Sequence, residues 1–232
     1  MVKIADPASG RLWCNRGCLV AIVALLVIIS DQWLKIWVKT HFFIGESYEI
    51  LPWFELKFIE NNGMAFGIEL WSKLLLTFFR IIAVIFLCIG MCKLHSCRNL
   101  RMGFLICLAL VTAGAAGNIF DCVFYGEIFN NPFPPEVASL FPEGGGYAGW
   151  FEGRVVDMLY FPFFSFDFPV WMPFVGGQEF EFFQYVFNIA DSAICVGVFM
   201  MILFYSNDFH MALNILRGVM DKNGEDTEKK TA

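Results

Sequence analysis

Charge is scarce in this sequence: only 16% of its 232 residues are charged, against 58% hydrophobic and 18% aromatic, and mean hydropathy is +0.61. A water-exposed globular domain of this length needs a far more polar surface, so the composition points to lipid as the solvent. Basic residues are fewer than acidic ones, 16 Lys and Arg against 22 Asp and Glu, for a net charge of −6. No basic face is visible, which argues against nucleic acid as a partner, because phosphate binding requires one. Metal-ligand spacing is also lacking: Cys92, His95 and Cys97 cluster beside a helix end without a clear fourth ligand, so no metal and no cofactor is expected. The cysteines do not read as a disulfide framework, since Cys18, Cys88, Cys107 and Cys195 lie in apolar runs where cysteine packs as a small hydrophobe.

What the chain does have is four apolar stretches of spanning length, roughly 17–38, 70–93, 102–124 and 182–205. Arg11 and Arg16 ahead of the first stretch resemble a signal peptide, but no small-x-small cleavage site follows, and Trp33, Leu34, Ile36, Trp37 and Val38 prolong it. A retained helix is expected there. Lysine and arginine flanks set orientation, because they stay preferentially on the cytoplasmic side. Lys3, Arg11 and Arg16, then Lys93, Arg98 and Arg101, then Arg217, Lys222, Lys229 and Lys230 put both termini and the 206–232 tail inside. Segments 39–69 and 125–181 then face outward, the second carrying Arg154 as its one basic residue. The expected fold is an α-helical integral membrane protein, one domain over 1–232, with four transmembrane helices, a small periplasmic β-sheet and a long extracytoplasmic loop.

The outward segments carry strand signals. Phe54, Leu56 and Phe58 alternate with Glu55 and Lys57 inside a run from Glu49 to Ile59, and Arg154 to Tyr160 is a second β-rich run. Unpaired strands beside lipid leave backbone groups unsatisfied, so the two runs are expected to pair. Prolines 132, 134, 135 and 142 with Gly144, Gly145 and Gly146 mark an irregular loop over 130–149. Phe161, Phe163, Phe164, Phe166, Phe168, Trp171 and Phe174 suit the headgroup zone, where aromatic rings collect.

Against this apolar background Asp31, Lys35, Asn62, Asn118, Asp121, Asp157, Asn188 and Asp191 each need a reason, since an ionised Asp at mid-membrane costs roughly 2.5–3.5 kcal/mol. Asp31 and Lys35, four apart on one helix face, can neutralise each other. Asp157, on a strand, and Asp191, expected about half-way down the fourth helix, come from distant segments that the topology lets converge at the outer leaflet. Two neighbouring carboxylates can hold one proton between them, deprotonate a water and protonate a leaving amine. Acid pairs also serve proton relays, so a proton-coupled small carrier using intramembrane acids is the alternative; internal repeats, which carriers often show, are not evident.

Spacing narrows the choice. Asp31-Gln32-x-x-Lys35, Asn62-Gly63-x-Ala65-Phe66-Gly67, Gly114-x-x-Gly117-Asn118-x-x-Asp121, Val155-Val156-Asp157 and Phe187-Asn188-x-Ala190-Asp191-Ser192 resemble, in order, the five signature blocks of lipoprotein signal peptidase, signal peptidase II. The resemblance implies a membrane aspartic endopeptidase of the bacterial inner membrane, multi-pass, with its active site at the periplasmic face. Its substrates would be diacylglyceryl-modified prolipoproteins, cut on the amino side of the lipidated cysteine, and its other partners membrane lipids; a monomer is expected. By that likeness Asp157 and Asp191 are catalytic, Asn118 and Asn188 orient them or the peptide, Asn62 and Gly63 border the substrate groove, and Asp31, Lys35 and Asp121 support the site. Where the family often has arginine after the third-block aspartate this chain has Cys122, and Arg154 is the candidate to take over that role.

Overall fold

The computed structural model describes residues 7–61 and 73–218, with side chains over 16–61 and 74–218. Among the described residues five helices, α1 (Pro7–His41), α2 (Lys73–Leu94), α3 (Met102–Ile128), α4 (Ile189–Phe204) and α5 (Ser206–Leu216), accompany five strands. The strands are β1 (Ser47–Leu51), β2 (Phe54–Asn61), β3 (Val155–Tyr160), β4 (Phe164–Asp167) and β5 (Glu179–Phe182). Among the described residues three stretches, Arg16–His41, Leu74–Leu94 and Met102–Ile128, are long and apolar enough to cross a membrane, and α4 with α5 qualifies as a pair bent by 98°. The helical membrane architecture with a small sheet is therefore present.

The fourth helix departs from expectation. It starts at Ile189 instead of 182, because 179–182 are spent on β5 and Phe187 exchanges backbone hydrogen bonds with Leu159 of β3 at 3.0 and 2.7 Å. Backbone groups committed to a strand cannot also close helical turns. Asp191 accordingly sits in the first turn of α4 and not half-way along it. Nor is 206–232 simply a tail, since its first part forms α5.

The chain divides into two compact units. One comprises Met1–Ser30, Phe78–Ile119 and Ala190–Ala232, and its described residues are mainly helical. Its core gathers Val20, Leu94, Leu100, Phe104, Leu105, Ala109 and Ala212, while Leu26, Ile29, Phe86, Phe199 and Ile202 point outward, as lipid-facing side chains do. Without water between helices, tight approach depends on small residues. A Cβ on Gly114 of α3 would run into the backbone oxygen of Ala190 at the start of α4, and one on Gly197 would meet the Cys107 carbonyl. Arg101 fixes the α4–α5 corner: it donates to the Phe204 carbonyl at 2.6 Å, and its Nε and backbone N–H reach the Asp208 carboxylate at 2.8 Å each.

The other unit comprises Asp31–Thr77 and Phe120–Ile189. Its three-stranded antiparallel sheet has the order β1-β2-β3, with Ile59 opposite Asp157 and Asn61 opposite Val155. The run expected as one strand over 49–59 is a hairpin whose first arm is β1; β2 and β3 pair as the alternation predicts. Phe58, Leu56, Val156 and Met158 from the sheet pack with Val38 and Phe42 from the end of α1 and just beyond, and with Tyr125 of α3 and Phe129 just after it. The aromatic stretch expected only as interfacial anchoring also folds: β4 and β5 form a separate two-stranded sheet.

Replacing Gly114 by Leu should separate α3 from α4 and cost about 1–3 kcal/mol, as overpacking of a tight contact does; thermal unfolding in detergent reads this, and an unchanged midpoint would mean that the close approach is dispensable.

Candidate active site

Asp157 lies near the middle of β3, between Val156 and Met158, and is 4% exposed. The pairing of Phe187 with Leu159 draws the chain alongside β3 and delivers the next residue, Asn188, to it. Asn188 is fully buried, and its Nδ2 donates to Asp157 Oδ1 at 2.7 Å and to the Val156 carbonyl at 3.3 Å. A hydrogen bond of that length fixes the orientation of the carboxyl group.

The second acid is held in the same way by another amide. Asn118 Nδ2 donates to Asp191 Oδ1 at 2.7 Å, and Asp191 is half-buried in the first turn of α4, where free N–H groups favour a carboxylate. Contact at Gly114, one turn before Asn118, brings α3 against Ala190, the neighbour of Asp191, and this makes the short bond possible. The two signature Asn–x–x–Asp spacings, 118/121 on α3 and 188/191 at the head of α4, are thus used crosswise: each asparagine serves an acid outside its own motif.

Behind β3 lies a buried ionic network. The Lys35 ammonium, wholly inaccessible, is 2.8 Å from Asp31 and 2.7 Å from Asp121. Gln32 donates to Asp121 Oδ1 at 2.8 Å and accepts from the Tyr125 hydroxyl at 3.0 Å. Asp121 Oδ2 also receives the Val156 N–H at 3.4 Å, which ties the network to the residue beside Asp157. A second network has Glu60 of β2 accepting from Lys39 and, at 2.9 Å, from Arg154. Phe58, Phe129 and Tyr147 rings lie 5.6, 5.1 and 5.3 Å from the Lys39 ammonium. The Tyr147 hydroxyl accepts the Arg154 N–H at 2.7 Å, and burial pushes its phenol above the ordinary value.

Of the residues singled out in the sequence, Asn188 meets Asp157, Asn118 meets Asp191, and Lys35 joins Asp31 to Asp121. Asn62 and Gly63 fall outside the described residues. Cys122 is buried, and its carbonyl accepts the Gly153 N–H at 2.8 Å, so Arg154 leaves the chain next to the position where the family often has arginine. Lys39, Glu60, Tyr125 and Tyr147 were not foreseen. One signal was available: Asp31, Lys35 and Lys39 recur every four residues along one face of α1.

Helices apolar enough to span a membrane, together with small antiparallel sheets, place the chain among multi-pass membrane proteins, and solved structures agree. A bacterial membrane enzyme structure obtained by the in meso method matches with TM-score 0.52 and 26% identity, over 80% of this chain and 90% of that one. The family model for signal peptidase (SPase) II matches residues 23–206. Lipoprotein signal peptidase of Porphyromonas gingivalis is 46% identical over 213 residues, covering 92% of this chain and 94% of its own length. That of Amoebophilus asiaticus is 37% identical over 188 residues, covering 78% and 75%. The chain belongs to the signal peptidase II family and is a membrane peptidase of the lipoprotein signal peptidase type.

Lys35→Met should leave Asp31 and Asp121 buried without their cation and cost about 3–5 kcal/mol, read as a lowered unfolding midpoint; pairing it with Asp121→Asn should recover part of the loss, and no loss in the single variant would mean that the network contributes nothing to stability.

Proposed function

We propose that Asp157 and Asp191 are the catalytic dyad of an aspartic endopeptidase that removes signal peptides from diacylglyceryl-modified prolipoproteins, on the amino side of the lipidated cysteine. The observation that carries this reading is the crosswise holding of the two acids, each by one asparagine at 2.7 Å, at the ends of two different signature blocks. Lys35 holds Asp31 and Asp121 by charge, whereas the asparagine amides hold Asp157 and Asp191 by hydrogen bonds that carry no net charge. In the proposed reaction one carboxylate takes a proton from water as it attacks the scissile carbonyl. The other, protonated, gives its proton to the departing amine, and the pair returns to one shared proton.

Asn118 and Asn188 are orienting residues in this scheme. Arg154 takes the place of the arginine found elsewhere after the third-block aspartate, and Asn62 with Gly63 borders the substrate. Lys35, Asp31 and Asp121 act on the dyad through Val156. Orientation follows from the basic flanks: both termini are cytoplasmic, and the acids face the periplasm from the bacterial inner membrane. A lipid-modified substrate is suited to such a position, because burial of its acyl chains holds the scissile bond in place.

In purified protein, Asp157→Asn and Asp191→Asn should each lower cleavage of a lipidated precursor by at least about a hundredfold with unfolding midpoints little changed; cleavage retained by either variant would end the dyad assignment.

Because one carboxyl must be protonated and the other ionised, the cleavage rate should fall on both the acidic and the alkaline side, and chelators should leave it unchanged. A flat profile with chemistry rate-limiting, or a loss with EDTA that zinc restores, would contradict the two-acid mechanism.

A further inference from the structure

The β4–β5 hairpin is amphipathic across its two faces. Phe164 lies opposite Phe182 and Phe166 opposite Phe180, which puts four phenylalanines on one face. The alternate pairs, Ser165 with Glu181 and Asp167 with Glu179, put three acids on the other. Ring contacts hold the aromatic face, with Phe164 stacked on Phe182 at 4.8 Å and 7° and Phe166 tilted against Phe180 at 5.1 Å. On the opposite face, two acids directly across from each other favour separation in water. All four phenylalanines are nevertheless exposed, and the tip is more so: Val170 88%, Trp171 79% and Phe174 99%. Phe174 also holds a left-handed φ of 73°, uncommon for a bulky residue.

Two features of the molecule identify what covers this surface. The hairpin is rooted in the unit whose sheet packs on the last turns of α1, a spanning helix, and therefore stands at a membrane surface. Its root is continuous with that sheet through stacked rings, Phe163 on Phe161 at 5.9 Å and Phe161 on Phe54 at 4.9 Å. Phe161 also stacks on Phe187, the neighbour of Asn188, at 5.5 Å. The second fact is charge: residues 161–187 contain no Lys, Arg or His. A surface adapted to anionic headgroups or to an acidic protein would carry basic residues, whereas an aromatic tip backed by acids suits the hydrocarbon boundary with its acidic face in water.

We propose that the β4–β5 hairpin is a membrane-inserting arm, its Val170–Phe174 tip and phenylalanine face covered by phospholipid acyl chains of the adjoining leaflet. Insertion rests on apolar area alone and is indifferent to headgroup charge and to salt. The stacked rings carry this fixed depth back to Phe187 and so to the segment that presents Asn188 to Asp157.

The test uses the full chain in phosphatidylcholine nanodiscs containing a phospholipid with a diazirine on its acyl chain, followed by illumination and peptide mass spectrometry. Adducts are expected within 170–175, with a yield unaffected by high salt or by added phosphatidylglycerol. Trp171→Asp with Phe174→Asp should reduce them at least about tenfold, whereas Trp171→Phe with Phe174→Leu should keep them, which separates lost insertion from lost folding. Three results would overturn the proposal: modification of the tip by a water-soluble carbene source with no lipid adducts, crosslinking of the tip to a second copy of the chain, or adducts that form only with anionic lipid. No readout here involves cleavage, so the arm and the dyad stand or fall separately.

Discussion

A lysine with no access to water governs the second unit. Lys35 sits on a spanning helix, where an unpaired ammonium is costly, so it must find carboxylates, and it finds two. Asp31 is local, one helical turn earlier on α1. Asp121 is distant and belongs to α3, so satisfying the lysine fixes how these parts of α1 and α3 are turned toward each other. The same Asp121 carboxylate receives the Val156 N–H, so the ionic constraint in the membrane becomes a positional constraint on the strand that carries Asp157. Gln32 and Tyr125 complete the shell and leave Asp121 well bonded. Low dielectric strengthens each of these bonds and makes any broken one expensive, which is why a small set of residues can set the geometry.

The helical unit relies on closeness instead of charge. Gly114 and Gly197 remove side chains where α3 meets α4, and the resulting approach lets a short side chain, Asn118, reach Asp191. An asparagine is a suitable agent for both acids. It donates a strong hydrogen bond without contributing the charge that would neutralise its partner. The result is two carboxylates each oriented by an amide, while Lys35, Lys39 and Arg154 hold Asp31, Asp121 and Glu60.

Much of the fold was legible because the bilayer imposes simple rules. Runs of apolar residues of the right length gave three spans directly, and alternation around Leu56 and Phe58 gave the strand that pairs with Val155–Tyr160. The start of α4 was misread because Phe182, Phe183, Tyr185, Val186 and Phe187 are as apolar as the helix that follows; hydropathy does not distinguish a strand or an extended segment from a helix when both are apolar. The β4–β5 hairpin was hidden for the same reason. Its period-two signal is present in Phe164, Phe166 and Phe168, but in a segment so rich in aromatics the alternation reads as a belt of anchors.

The sequence by itself determined the membrane class and the family, because each depends on residue type and spacing along the chain. Which partner each polar group takes was decided only by tertiary structure: Asn188 with Asp157, Asn118 with Asp191, Lys35 with both Asp31 and Asp121, and Glu60 with Lys39 and Arg154. Hydrogen bonds and ion pairs act over about 3 Å between residues up to 107 positions apart. Composition and periodicity register that such groups need partners, but the choice among them is made by the packing that brings the elements together.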